Sequence, residues 1–277
     1  RSTPKPSSAA SDGYKRQVLI IGVIITCAYI AFFISPQGLK VKQYQLSSTC
    51  ITEEFNDFKI GYFSDLDLKD QNDLTRLEKI INKINSEQYD LILFGGDIYD
   101  GDFFENTQVT SLLKKIEVSH GKFAVLGEKD YTNANEATTI LEHGGFEVLS
   151  NESRPIYYNN SAILLIGLEN TGDLNTLIND SNSGYYKVVL VHQPDYFTNS
   201  IAHNIDLQLS GHSHGGYIYL PFLGVFNKIE GAITYNHGQY QENNSQLIVS
   251  NGIGMENGKT IRLFCTPDII SINLTQE

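Results

Sequence analysis

Two histidines one residue apart, His212 and His214, stand within Gly211-His212-Ser213-His214-Gly215-Gly216. The run 205–209 before them is apolar and alternating and reads as a strand, so both imidazoles sit where a strand breaks into a glycine-rich turn. Neutral imidazole is the commonest side-chain ligand for transition metals, and flanking glycines let the backbone approach closely without a Cβ clash. Four further polar groups recur at expected strand ends: Asp65 with Asp67, Asp97 with Asp100, Glu128-Lys129-Asp130, and His192 after the Val188 to Val191 run. Each alone is an ordinary turn or helix cap. Together they make a mixed oxygen and nitrogen site suited to a pair of Mn, Fe or Zn ions, with one carboxylate bridging.

Elements that would position these groups follow from apolar spacing. Strands are expected at 39–46, 58–63, 90–94 and 122–126, and helices at 73–85, 107–116 and 135–142. In the first helix Leu74, Leu77, Ile80, Ile81 and Ile84 share one face. Strand, polar tip and helix repeat three times, which argues for an α/β architecture whose functional groups gather at strand ends. From Arg154 onward the elements shorten, with strands expected at 155–158, 162–168, 186–191, 205–209, 232–235, 246–249, 260–264 and 269–274. They imply a second, more antiparallel sheet.

Residues 1–17 are rich in Ser, Pro and Ala, carry Lys5, Lys15 and Arg16, and read as a disordered basic tail. Residues 18–34 carry no charge and are just long enough to cross a bilayer, so 18–37 is expected to be a transmembrane anchor and 38–277 a single domain. A cleaved signal peptide is the weaker alternative, because no small-x-small site follows the apolar run. Lys15 and Arg16 favour a cytoplasmic N-terminus, although Lys40 and Lys42 dilute the bias. The expected location is therefore the cell membrane, single-pass, with the domain extracytoplasmic and the bilayer contacted through residues 18–34.

The net charge of −12 argues against nucleic acid as a partner. The three cysteines, Cys27, Cys50 and Cys265, are too scattered for a zinc ribbon. A Cys50–Cys265 disulfide and two separate thiols both remain open. The Asn-x-Ser/Thr triplets at Asn151, Asn159, Asn243 and Asn273 carry little weight in so Asn-rich a chain.

Motif order resembles that of the calcineurin-like metallophosphoesterases, in particular the membrane-anchored bacterial branch that includes homologues of UDP-diacylglucosamine hydrolases. The family pattern runs D-x-H, G-D-x-x-D, G-N-H-D/E, a lone His after a strand, then G-H-x-H. The matching stretches are Asp65-Leu66-Asp67, Gly96-Asp97-Ile98-Tyr99-Asp100, Gly127-Glu128-Lys129-Asp130, Val191-His192-Gln193-Pro194 and Gly211-His212-Ser213-His214. Over residues 58–274 the resemblance implies a four-layer α/β/β/α sandwich of two mixed sheets. It implies two divalent metal ions, Mn foremost with Fe, Zn or Mg as alternatives. Asp65, Asp97 and His214 would hold one ion, Asp97 would bridge, and His192 and His212 would hold the other. A hydroxide bridging the metals would attack a phosphate ester or diphosphate of a small or lipid-linked substrate.

Three positions depart from the pattern. Asp67 replaces the first-motif His, and Glu128-Lys129 replaces Asn-His, so the family's catalytic histidine is missing. With Asp67 and Glu128 added as ligands, the formal charge of two ions and their carboxylates falls from about +2 to about 0, which weakens attraction for a phosphate anion. Lys129 returns one positive charge and, with Asp130, is the expected catalytic pair. A second reading follows from the same residues: Lys129 stands in for a cation and the domain is a catalytically silent scaffold.

Overall fold

The computed structural model describes residues 8–178, 184–255 and 261–277. In chain order it contains α1 (Ser8–Tyr29), β1 (Lys40–Ser48), β2 (Lys59–Phe63), α2 (Gln71–Glu87), β3 (Leu91–Phe94), α3 (Asn106–Leu113), β4 (Lys122–Ala124), α4 (Ala134–His143) and β5 (Glu147–Val148). There follow β6 (Glu152–Tyr158), β7 (Ser161–Leu168), β8 (Tyr186–Val191), α5 (Phe197–Ala202), β9 (Leu207–Ser210), β10 (Tyr219–Leu220), β11 (Gly224–Val225), β12 (Gly238–Glu242), β13 (Ser245–Val249) and β14 (Asp268–Gln276).

Two six-stranded mixed sheets form, in the orders β1-β14-β2-β3-β4-β5 and β12-β13-β9-β8-β7-β6. Alternation along the strands builds the layers. Ile60, Tyr62, Leu91, Leu93, Ile270 and Ile272 point inward from the first sheet and meet Ile163, Leu165, Val188, Leu190, Leu207 and Leu209 of the second in one core. On the outer face of the first sheet, Phe63, Ile92 and Phe94 pack against Leu74, Leu77, Ile81, Val109, Leu113 and Ile140 of α2, α3 and α4. Leu164, Ile166 and Val189, with Leu247, Val249 and Phe197 of α5, cover the outer face of the second. The expected four-layer α/β/β/α sandwich is the fold observed. Helix α2 begins at a capping box in which Asp70 accepts from Asn72 N at 2.7 Å and Asp73 accepts from Asp70 N at 3.2 Å.

Several expectations need correction. The second sheet is the more antiparallel of the two, with two antiparallel pairs against one in the first, but both lie at its edges, and β7, β8, β9 and β13 at its centre all run parallel. Its central strands are apolar on both faces because both are covered. Residues 232–235 form no strand: the Asp195 carboxylate accepts Ile233 N at 2.7 Å and Thr234 N and Tyr235 N at 2.9 Å, taking the amides a ladder would use. Of the expected strand 260–264, residue 260 lies outside the described residues and the remainder makes one bridge, Leu263 to Ile218. Polar β12, Gly-Gln-Tyr-Gln-Glu, escaped an apolar pattern search because it is an exposed edge.

At the N-terminus, residues 1–7 of the expected disordered tail lie outside the described residues, but from Ser8 the backbone is helical. Extending a helix costs far less than nucleating one, so polar turns ride on the apolar run. After Tyr29 the helix loosens into a π-type turn at Ile30–Ile34 and a tighter turn at Ser35–Gln37. Among the described residues, Gly13–Gln37 make one helix long and apolar enough to cross a membrane, with mean hydropathy 2.7 over an 18-residue window. Its apolar side chains are bare, Leu19 68%, Ile25 63% and Phe33 65% exposed. Cys265 is buried, Cys50 is exposed, and the two are not bonded.

Candidate metal centre

Strands β2, β3 and β4 of the first sheet run parallel, as do β8 and β9 of the second. Asp65, Asp97 and Lys129 therefore leave one sheet at the same end, and His192 and His212 leave the other. The tight exits demand unusual backbone. Asp65, Asp67, Asp97, His212 and His214 all have left-handed φ angles, 54°, 46°, 59°, 66° and 49°. Asp and His are among the few side chains that tolerate this region, so residue type serves backbone and chemistry together. Asp65 Oδ1 accepts the amide of His212 at 3.0 Å and ties the sheets across the site. Gly127 is required on packing grounds, since a Cβ there would collide with the Asp97 carboxylate.

On one side of the site, Asp65, Asp97 and His192 are fully buried and present ligand atoms all within 4.8 Å of one another. His192 Nδ1 lies 2.7 Å from the Gly95 carbonyl, which can only accept, so Nδ1 carries a hydrogen and, in the neutral ring, Nε2 holds the lone pair. That Nε2 faces Asp97 Oδ2 at 3.3 Å and Asp65 Oδ1 at 3.9 Å and makes no hydrogen bond. A ring nitrogen turned toward two carboxylates takes up either a proton or a metal cation between them. Burial pulls the ring toward neutrality, but the Asp97 and Asp65 charges overcome it and push its pKa up to about 10. His212 is fixed in the same way at one nitrogen: Nε2 donates to the Glu230 carbonyl at 2.7 Å, which leaves Nδ1 toward Glu128 Oε2 at 3.8 Å. The His192 and His212 rings stand 5.1 Å apart.

On the opposite side one Asp67 oxygen is already compensated by Lys129, while its Oδ2 is buried without a hydrogen-bond partner. Lys129 Nζ donates to Asp67 Oδ1 at 2.6 Å and lies 3.9 Å from Asp97 Oδ2 and 3.8 Å from Asp100 Oδ1. His214 Nε2 is 3.4 Å from Asp67 Oδ2, but its Nδ1 sits 3.3 Å from Arg262 Nη2. A guanidinium only donates, so His214 Nδ1 holds the lone pair and Nε2 the hydrogen, the reverse of His192. Burial, then the Arg262 and Lys129 charges, hold His214 well below the usual imidazole range and keep it neutral. Burial raises the Asp67 carboxyl to about 8 despite Lys129, whereas Asp97, under the pull of His192 and Lys129, lies near 2 against its own burial.

The sequence profile of the calcineurin-like phosphoesterases matches residues 58–216, more than half of the chain and nearly all of the residues just described. The chain belongs to the calcineurin-like phosphoesterase family. It is 30% identical to an uncharacterized metallophosphoesterase of Bacillus subtilis, YkuE, over 88% of each chain. It is 27% identical to an uncharacterized metallophosphoesterase of Campylobacter jejuni, Cj0846, over 94% of this chain and 70% of that one. A zebrafish protein named a transmembrane protein with metallophosphoesterase domain is 22% identical over 79% of this chain and 54% of its own length. This phosphoesterase is thus a metal-dependent phosphoester hydrolase.

The family uses a dinuclear divalent metal centre, and the residues fit that centre unevenly. The orphaned Nε2 of His192, with Asp65 and Asp97 around it, matches the donors a divalent cation takes. Around Asp67, where the resemblance implied a second ion, the space holds the Lys129 ammonium, and His214 offers a hydrogen rather than a lone pair. Glu128, expected as a ligand, is 46% exposed at the rim, with Oε1 against the Gln193 amide.

Asp130 was expected to act in catalysis, and its geometry corrects this. Its Oδ2 accepts Asp97 N at 2.8 Å and Gly127 N at 2.9 Å, and its Oδ1 accepts Ile98 N at 2.9 Å. Both oxygens are spent clamping the third motif onto the second. Sequence reasoning missed Arg262, which is fully buried and also donates to the carbonyls of Asn251 at 2.6 Å and Cys265 at 3.0 Å. One signal existed: a lone charge inside the apolar run 261–264 needs a buried partner.

Proposed function

We propose that this phosphoesterase hydrolyses a lipid-linked phosphate ester or diphosphate at a membrane surface. One divalent ion is held by Asp65, Asp97, His192 and His212, and the Lys129 ammonium stands in place of a second. The observation that carries the reading is the buried Nε2 of His192, aimed between two carboxylates without a hydrogen-bond partner. A divalent ion there would supply Lewis acidity and a water of lowered pKa. Two carboxylates with two imidazoles suit Mn.

The remaining chemistry belongs to the chain. Lys129, anchored by Asp67, offers a positive charge to a phosphoryl oxygen as negative charge builds in the transition state. Asp130 holds the Lys129 loop in register with Asp97. No imidazole stands where the family's third-motif histidine would protonate a leaving group. The reading therefore favours substrates whose leaving group departs as a stable anion, such as a diphosphate or an aryl ester.

Support for the membrane comes from the apolar helix Gly13–Gln37 and from the name of the zebrafish relative. It also comes from Arg262, whose amide donates to Ala31 O at 3.0 Å while its guanidinium reaches His214. A single residue thus joins the end of the apolar helix to the metal centre. Lys15 and Arg16 before the helix favour an extracytoplasmic domain. The family does not favour a catalytically silent scaffold.

Purified full-length protein in detergent should hydrolyse bis-p-nitrophenyl phosphate with added Mn2+ and retain one Mn per chain by elemental analysis. His192→Ala should lose turnover and weaken Mn2+ binding by more than about 100-fold, beyond the cost of losing an outer-sphere partner. Absence of turnover with every one of Mn, Mg, Zn and Fe would overturn the enzymatic reading. Two ions per chain would overturn the substitution of Lys129 for a metal.

A further inference from the structure

We infer that the β10–β11 hairpin is a second membrane contact, inserting Phe222, Leu223 and Phe226 into the bilayer surface beside the metal centre. The inference rests on the membrane reading above and adds a surface to it. Phe222, Leu223 and Phe226 are 103%, 81% and 79% exposed, more than any large apolar side chain of the helix itself. Phe222 and Leu223 stand at the tip and Phe226 at the base of this one hairpin, and apolar groups so exposed and serving no core mark a binding surface. A hairpin of two-residue strands has little stability of its own, so its apolar tip is not there to hold it together.

The occupant follows from what the hairpin is tied to. Tyr219 N donates to Leu263 O at 3.0 Å, Leu263 N to Tyr217 O at 2.8 Å, and Phe226 N to Ile218 O at 2.8 Å. The next residue, Arg262, donates its amide to Ala31 near the end of the apolar helix. Hairpin, segment 262–264 and helix end therefore form one backbone-bonded chain of neighbours, and Phe264 adds a fourth apolar side chain, 54% exposed. A helix that crosses a bilayer and leaves it near Ser35 and Pro36 brings this set to the lipid surface. Phe and Leu settle about 5–10 Å into the headgroup and acyl boundary, and the exposed Lys228 nearby suits anionic headgroups. At its other end the hairpin begins at the site, where the Tyr217 ring stacks on His214 with centroids 4.9 Å apart. Docking would hold the metal centre at the level of lipid phosphates.

The chain contains no tryptophan, so each introduced indole reports from one place. Full-length Phe222→Trp, Ile25→Trp and Tyr157→Trp are each reconstituted into phosphatidylcholine and phosphatidylglycerol vesicles with lipids brominated near the ester end of the chains. Tyr157 pairs with Ala162 at the start of β7, the end of the sheet opposite His192, and is 65% exposed. Phe222→Trp is expected to lose most of its emission and Tyr157→Trp none. If Phe222→Trp stays bright while Ile25→Trp is quenched, the inference is overturned and the anchor stands. If neither is quenched, both fall, whereas quenching of Phe222→Trp alone keeps the hairpin contact and removes the spanning helix. Equal quenching of Phe222→Trp and Tyr157→Trp would mean unspecific adsorption and would also overturn the inference.

Discussion

On one side of the centre His192 turns Nε2 toward Asp65 and Asp97 and His212 turns Nδ1 toward Glu128, while on the other Lys129 and Arg262 already lie against Asp67 and His214. Both sides are built from aspartate and histidine at similar separations, 3.3 Å for His192 to Asp97 and 3.4 Å for His214 to Asp67. What differs is the partner of the other ring nitrogen. A carbonyl makes His192 a lone-pair donor at Nε2, and a guanidinium makes His214 a hydrogen donor there. Ligand capacity in such a site is thus decided by groups one bond further out, as much as by the ligands themselves.

The comparison breaks most visibly at Lys129. Lys129→Met should leave Asp67 Oδ1 without the Lys129 donor and cost the metal-free protein about 1–3 kcal/mol, read as a lower midpoint in chemical denaturation with chelator present. Added Mn2+ should restore most of that and raise the bound ions from one to two per chain. Unchanged stability in chelator would mean that Lys129 does not neutralise this side.

Asp130→Asn tests the clamp that holds the sides together. One amide oxygen cannot accept from three backbone N–H groups, so a loss of about 1–3 kcal/mol is expected, with weaker metal binding and no change in the pH dependence of turnover. A selective change in the pH profile with full stability would return Asp130 to a direct catalytic role.

Proton release sharpens the distinction. Without metal, His192 with a pKa near 10 is protonated at neutral pH, and the ion must displace that proton. Mn2+ binding should release about one proton in weakly buffered solution at pH 7 and should weaken as pH falls. Binding that is independent of pH would place the ion elsewhere. The subtlest readout is the tautomers: nitrogen-15 spectra of the metal-free protein above pH 10 should find His192 protonated at Nδ1 and His214 at Nε2. The same tautomer in both would erase the difference between the sides.

Five strand-end motifs were legible because each pairs an apolar run with a polar tip, and that local pattern survives into the fold. Glu128 and Asp130 were legible as residues but not as roles. Neighbouring positions in one motif diverge, Glu128 to the solvent rim and Asp130 onto three amides, because a tight loop sends successive side chains to different surroundings. Residues 232–235 misled for a similar reason, since their amides go to Asp195, a residue far back in the chain.

By itself the sequence determined the family, the layered α/β scheme, the apolar helix and the residue types gathered at the strand ends, because periodicity and motif order are properties of the chain. Only the tertiary structure decided which histidine carries its hydrogen on which nitrogen, that Lys129 fills the space beside Asp67, and that Arg262 links the site to the helix end. Those outcomes depend on hydrogen-bond partners far away in sequence, such as His214 and Arg262 at a separation of 48 positions and Gly95 and His192 at a separation of 97. A local pattern carries no record of which distant donor or acceptor will complete a ring.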